Sequence, residues 1–332
     1  MPKPESSNPQ RHGNEGALQH DGWGRLSTEA QNPRSEALDL LSSEEVVSLL
    51  LEEDQRGLQA VRACQMGIAQ VACWVAEALQ GGGRVLFAGA GTSGRLGILE
   101  AAECPPTFGT DPEQICAVIA GGREATFAAR EGAEDVFANG AAAAEGLGRG
   151  DLLIALSASS VTPYALGALE SAGDKGARTV LITCTSPSAV GKVADLVLAL
   201  DTGPEVLTGS TRLKAASATK AVLNAVTTTA MVRLGKVYRN LMVDLRPGSA
   251  KLRDRAVRIV QIAGEVPRDD AETLYEAAGG EVKTAIVMAR CGLDADAARQ
   301  RLGAAGGHVR RALDIHLDVV QDESDDSVQC QP

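Results

Sequence analysis

Histidine is nearly missing from this chain of 332 residues: four are present, His12, His20, His308 and His316, and none lies between residues 21 and 307. A Ser-His-Asp triad, a Cys-His pair or a histidine metal site in the middle of the chain would therefore need long-range help from His308. His308 itself reads as a surface residue after Gly306-Gly307, in the last helical segment. Aromatic residues are scarce too, at 3%, so a core must be built from Ala, Val, Leu and Ile, and base-stacking surfaces are few. The seven cysteines, Cys64, Cys73, Cys104, Cys116, Cys184, Cys291 and Cys330, form no C-x-x-C pair, which reads as reduced thiols in a cytoplasm and implies no metal site. No stretch of 18 apolar residues occurs, and the first 22 residues lack the apolar region of a signal peptide, so membrane spanning and secretion are not expected. A net charge of −11 has the wrong sign for a nucleic-acid partner.

What remains is ordinary for a soluble globular protein: 44% hydrophobic and 23% charged residues, enough for one large core and an appendage. Residues 1–22 are polar and too poor in apolar side chains to offset the entropy of ordering. Ser42-Ser43-Glu44-Glu45 offers a capping box for a helix to about Glu53, and a longer helix over roughly 57–80 stops at Gly81-Gly82-Gly83. Apolar runs at 84–88, 115–120, 152–156, 178–183 and 195–200 then alternate with helical segments. That is the pattern of an α/β fold with a doubly wound parallel sheet. Ser210 or Thr211 is placed to cap a helix over about 212–233, short helices fill the chain from about Ser249 to Leu313, and residues 316–332 read as an acidic tail.

The run Arg84–Ala88 feeds directly into Gly89-Ala90-Gly91-Thr92-Ser93-Gly94. Gly89, Gly91 and Gly94 spell a dinucleotide fingerprint, but the acidic residue expected about 20 positions on for a ribose is replaced by Gly121-Gly122-Arg123. A nicotinamide cofactor is therefore not expected. Thr92 and Ser93, hydroxyls beside backbone N–H groups at a helix start, suit a compact anion such as a phosphate monoester. Further hydroxyls sit at the carboxyl ends of later strands, Ser157-Ala158-Ser159-Ser160 and Thr185-Ser186, where such sheets bind ligands. Together they favour a phosphorylated, polyhydroxylated ligand, although Ser and Thr also cap helices without binding anything.

Carboxylates are the available acid–base groups. Proline disfavours helix at the residue before it, so Cys104-Pro105-Pro106 should end the helix opened at the glycine turn and leave Glu103 in its last turn, facing the negative end of the dipole. Glu131 and Glu134 fall at i, i+3, on one face of a helix, where like charges raise one carboxyl toward neutrality. On the residues alone, Glu103 reads equally as an exposed glutamate without a task, and the second cluster as a solvated acidic turn.

Three segments carry a resemblance: Gly89–Gly97, Ala102-Glu103-Cys104-Pro105-Pro106-Thr107-Phe108-Gly109 and Glu131-Gly132-Ala133-Glu134-Asp135. With Thr162-Pro163-Tyr164, Leu207–Lys214 and Gly235–Asp244, they closely resemble the N-acetylmuramic acid 6-phosphate etherases, over about Trp23 to Leu313. The resemblance implies a sugar isomerase (SIS) domain at 81–245, N-terminal helices packed on it at 23–80 and a small helical domain at 246–315. It implies a cytoplasmic homodimeric lyase that converts N-acetylmuramate 6-phosphate and water to N-acetylglucosamine 6-phosphate and D-lactate without cofactor or metal. Glu103 matches the family's acid and Glu134 its second catalytic glutamate. The expected substrate-binding set is Gly91, Thr92, Ser93, Glu131, Ser157, Ser159, Ser160, Thr162, Ser210 and Thr211. One departure stands out: where the family usually reads Ser-Gly-Arg-Thr-Pro-Tyr, this chain has Ser159-Ser160-Val161-Thr162-Pro163-Tyr164. Two other readings use the same domain: a non-catalytic phosphosugar sensor like the distantly related glucokinase regulatory protein, and an amino-sugar-phosphate isomerase or deaminase.

Overall fold

Five short apolar runs become five parallel strands, β1 (Val85–Gly89), β2 (Ile115–Ile119), β3 (Leu152–Leu156), β4 (Arg178–Thr183) and β5 (Leu196–Ala199), hydrogen-bonded in the order β2-β1-β3-β4-β5. The structure, a computed structural model, describes Gly24 and residues 26–313; the tails expected at 1–22 and 316–332 lie outside it. Strands β1, β3 and β4 are buried nearly throughout, as befits parallel strands covered on both faces. One face of the sheet, with Phe87, Ile154, Leu156 and Ile182, packs against α2 (Gln65–Gln80), α3 (Gly91–Phe108) and α6 (Lys214–Arg233). The other, with Leu86, Leu153 and Leu181, is covered by α5 (Pro163–Asp174) and the stretch that follows α4 (Phe137–Ala143). Beyond α6, a two-stranded ribbon of β6 (Val237–Tyr238) and β7 (Leu241–Met242) leads into α7 (Ala250–Gly264), α8 (Arg268–Ala277), α9 (Val282–Cys291), α10 (Ala295–Ala304) and α11 (Val309–Ala312), which share a separate core around Val257, Val260, Ile286 and Val287. Among the described residues no helix is long and apolar enough to cross a membrane.

Several boundaries differ from the sequence expectation. The capping box at Ser42 and Glu45 is present, but its helix, α1 (Ser43–Ala63), runs past Glu53 and breaks only at Cys64. No Gly or Pro marks that break. The Cys64 thiol donates to the carbonyl of Ala199, the last residue of β5, tying the kink to the sheet. Helix α3 does not stop at Cys104: it continues through Pro105 and Pro106 to Phe108, where Gly109 closes it at φ 63° with its N–H on the Pro105 carbonyl. Buried Cys104 and Phe108 bracket the prolines and hold the last turn down. The segment between β7 and α7 meets the end of α3 here as well, because a Cβ on Gly109 would lie 2.4 Å from the Asp244 carbonyl oxygen, and Arg246 donates to the Gly109 carbonyl at 3.0 Å.

Candidate functional site

In a 2-1-3-4-5 sheet the connections leave β1 to opposite sides, and the crevice for a ligand opens between the carboxyl ends of β1 and β3. Pairing of Gly89 with Leu156 sets the loop Ala90–Ser93 beside the loop Ser157–Thr162 at that point. Two close approaches fix the first loop. A Cβ on Gly94 would lie 2.7 Å from the Gly89 oxygen and 2.5 Å from Ile119 Cγ1, and one on Gly97 would lie 2.9 Å from Phe87 Cβ. Only glycine lets α3 sit this close to β1, so the first-turn N–H groups, which have no helical partner, face the crevice. No side chain caps α3, and Gly91 takes φ 52°. Thr92 and Ser93 are half-buried beside it.

The second loop is knotted by its own hydroxyls. Ser157 Oγ and Thr162 Oγ1 are 2.7 Å apart, and Ser159 Oγ accepts from the Val161 N–H at 3.4 Å. Ser160 is buried and held at φ 67°, the left-handed region. The third hydroxyl loop starts beside the second, with Thr183 Oγ1 and the Cys184 N–H each donating to the Ala158 carbonyl at 3.0 Å. Thr185 is buried and pairs with Thr183 Oγ1 at 3.2 Å, and Ser186 faces Ser188.

The carboxylates are arranged differently from the sequence expectation. Glu103 is exposed and, with α3 running on to Phe108, lies before the last turn, so the helix-end argument for it falls away. One turn earlier, half-buried Glu100 accepts a hydrogen bond from Thr227 Oγ1 of α6, and burial raises its carboxyl above the usual range against the pull of Lys220. Burial, with Glu100 and Glu103 alongside, pushes the Cys104 thiol up to about 12, which leaves it inert as a nucleophile. Glu131 and Glu134 share no helix: Gly132 at φ 73° separates Glu131 from a single 3₁₀ turn, Ala133–Asp135. The Glu134 carboxyl is raised all the same, first by partial desolvation and then by Asp135 and Glu131.

Neither Ser210 nor Thr211 caps α6. The helix begins at Lys214, and buried Glu205 caps it from outside, accepting from the Lys214 N–H at 3.3 Å and the Ala215 N–H at 2.9 Å. Ser210 and Thr211 sit half-buried in the preceding loop. His308 is half-buried and opens α11; its ring covers Gly235, where a Cβ would lie 2.8 Å from His308 Cγ. Desolvation, with Arg311 and Lys283, lowers its pKa. Sequence reading missed Glu100 and Glu205. Glu100 had a signal, one helical turn before Glu103 on the same helix; Glu205 had none, because its partners are set by the fold. A cavity of about 670 Å³ lies away from the crevice, between Val243–Gly248 and the start of α9. Among the described residues no three of His, Cys, Asp and Glu gather as metal ligands would.

Residues 67–173 match the family model of the glucokinase regulatory protein N-terminal SIS domain. Over 292 residues, 87% of this chain and 96% of the relative, the sequence is 48% identical to an N-acetylmuramic acid 6-phosphate etherase of Rubrobacter xylanophilus. The chain belongs to the N-acetylmuramic acid 6-phosphate etherase family. It is also 47% identical to the etherase of Cutibacterium acnes, over 87% of this chain and 95% of that one, and 44% identical to etherase 2 of Vibrio cholerae, over 88% and 95%. Etherase-family membership accounts for the parallel α/β sheet.

Proposed function

We propose that this protein is an N-acetylmuramic acid 6-phosphate etherase, a lyase of amino-sugar recycling that yields N-acetylglucosamine 6-phosphate and D-lactate. Likeness over 87–88% of the chain to proteins of that name carries the proposal, and the chain has a glutamate at each of the two positions the chemistry needs. In this reading the segment 81–245 holds the sugar phosphate, with 23–80 and 246–315 as helical supports. The phosphate is taken by Gly91, Thr92 and Ser93 at the start of α3 and by Ser157, Ser159, Ser160 and Thr162 across the crevice, while Glu131, Ser210 and Thr211 contact the sugar.

The open-chain sugar has an aldehyde at C1, which acidifies the C2 proton. Glu134 removes that proton, and its raised carboxyl suits a base working near neutrality. The freed electron pair forms the C2–C3 double bond as the C3–O bond breaks, and Glu103 protonates the departing lactate oxygen. Glu103, now ionised, takes a proton from water whose oxygen adds to C3, and C2 recovers its proton from Glu134. The sequence of steps is redox-neutral and needs only carboxylates.

Distance along α3 argues for a dimer. Glu103 lies eleven residues beyond Thr92, and at 1.5 Å per residue that is roughly 16 Å of helix. From C3 to phosphorus is five bonds, roughly 6 Å at the advance of an extended chain. A sugar whose phosphate sits at Thr92 therefore cannot reach Glu103 of the same chain, even with the side chain leaning back along the helix. A second copy supplies it. Val47, Leu51 and Leu58 of α1, with Leu40 before it, expose apolar surface fit for such an assembly, and the free thiols suit a cytoplasmic enzyme.

The test is to incubate the purified protein with N-acetylmuramate 6-phosphate and assay D-lactate. Folded protein that binds the sugar and releases no lactate would leave the regulator reading in its place. In deuterated water, Glu134→Gln should lose label entry at C2 while Glu103→Gln retains some.

A further inference from the structure

A buried polar cluster among the described residues lies outside the reaction just described. Lys214 and Glu53 have side chains only 3% and 2% exposed, and the ammonium donates to Glu53 Oε2 and to the Pro204 carbonyl. Asn32 Nδ2 reaches the same two acceptors, Glu53 Oε2 at 3.0 Å and the Pro204 carbonyl at 3.1 Å, and Arg34 donates to Glu53 Oε1 at 2.7 Å. Burial pushes the Glu53 carboxyl up, but Lys214, Arg34 and Asn32 outweigh it and hold it below its usual value. A buried ion pair is weak evidence for stability, since apolar groups of the same shape often serve as well; what it supplies best is register.

Here the register concerns one loop. Pro204 is gripped by Asn32 and Lys214 where the loop begins, and Lys214, the first residue of α6, is gripped where it ends. Between them lie Thr208, Gly209, Ser210 and Thr211, with Gly209 at φ 77° and Glu29 Oε2 3.3 Å from where a Cβ on Gly209 would stand. Residues far apart in sequence, at 29–34, 53 and 214, thus converge on a stretch without regular structure. We propose that Asn32, Glu53 and Lys214 are positioning residues that hold the Thr208–Thr211 loop in the geometry required to bind the phosphosugar. The inference rests on the reading that Ser210 and Thr211 contact substrate.

The experiment uses the full chain and three readouts: KM and kcat from lactate release, Kd for N-acetylglucosamine 6-phosphate by calorimetry, and Tm. Asn32→Ala, which leaves the ion pair intact, should raise KM and Kd about tenfold, or 1.4 kcal/mol, with kcat within about twofold. Lys214→Met should do the same or more, and Lys214→Arg should restore most of the affinity. Combined with Ser210→Ala/Thr211→Val, Asn32→Ala should add much less than it does alone, because both act through one loop. Lowered Tm with unchanged KM and Kd in both Asn32→Ala and Lys214→Met would overturn the proposal and leave the cluster a structural one. If Ser210→Ala/Thr211→Val itself leaves KM unchanged, the loop reading fails first and takes the proposal with it.

Discussion

Ser160 occupies the position where the family usually has glycine, and it adopts the backbone conformation that glycine favours, φ 67°. The left-handed region costs an L-residue roughly 1–2 kcal/mol, part of which glycine returns as extra freedom in the unfolded chain. Ser160→Gly should therefore stabilise the protein by up to about 1 kcal/mol, a rise in Tm of about 1–2 °C by calorimetry for a chain of this length. A fall would mean that the serine hydroxyl performs a task in the loop. Glu134 gives a second prediction at this scale. As a base it must be ionised, so the acidic limb of kcat/KM should lie above the ordinary glutamate range, because desolvation, Asp135 and Glu131 all raise it. Asp135→Asn removes a neighbouring negative charge and should move that limb to lower pH in a pH–rate profile; movement upward would contradict the assignment of Glu134 as the base.

Among the elements, α6 is started by a group that its own sequence does not announce. Glu205 is nearly solvent-free yet caps two N–H groups, and burial keeps its carboxyl raised despite them. Glu205→Ala should cost about 1–2 kcal/mol in denaturant unfolding, at the upper end for a lost cap, and a change of a few tenths would show that water replaces the carboxylate. This is also where the sequence was hardest to read. The strands were legible because buried parallel strands are continuous apolar runs, and Gly89, Gly91 and Gly94 were legible as the turn from β1 into α3, though not the close packing of Gly94 and Gly97 on β1. Pro105-Pro106 misled because local backbone preference was outweighed by the burial of Cys104 and Phe108. The break at Cys64 and the cap from Glu205 depend on partners 135 and 9 or 10 residues away, which no local pattern encodes. Hydroxyls were legible as a class, but not which would turn inward: Ser157 and Thr185 are both buried, while Ser159 and Thr162 are half-buried.

For the whole molecule, the proposed dimer rests on the length of α3. If Glu134 acts within its own subunit and Glu103 on its neighbour's sugar, a hybrid of Glu103→Gln and Glu134→Gln subunits has one intact site. Random re-pairing of the two inactive variants into two-fold dimers should then recover about a quarter of the parent activity, measured as lactate release after subunit exchange. No recovery, from material shown to contain hybrids, would place both glutamates in one chain. The prolines of α3 bear on what such a neighbour meets. Neither Pro105 nor Pro106 has an N–H to offer, so the carbonyls of Ala101 and Ala102, beside Glu103, have no donor four residues on. The helix surface there accepts hydrogens and gives none back. A sugar hydroxyl, an amide of the second chain or a water settling against it has to arrive hydrogen first, and that fixes how such a visitor is turned before any bond is broken.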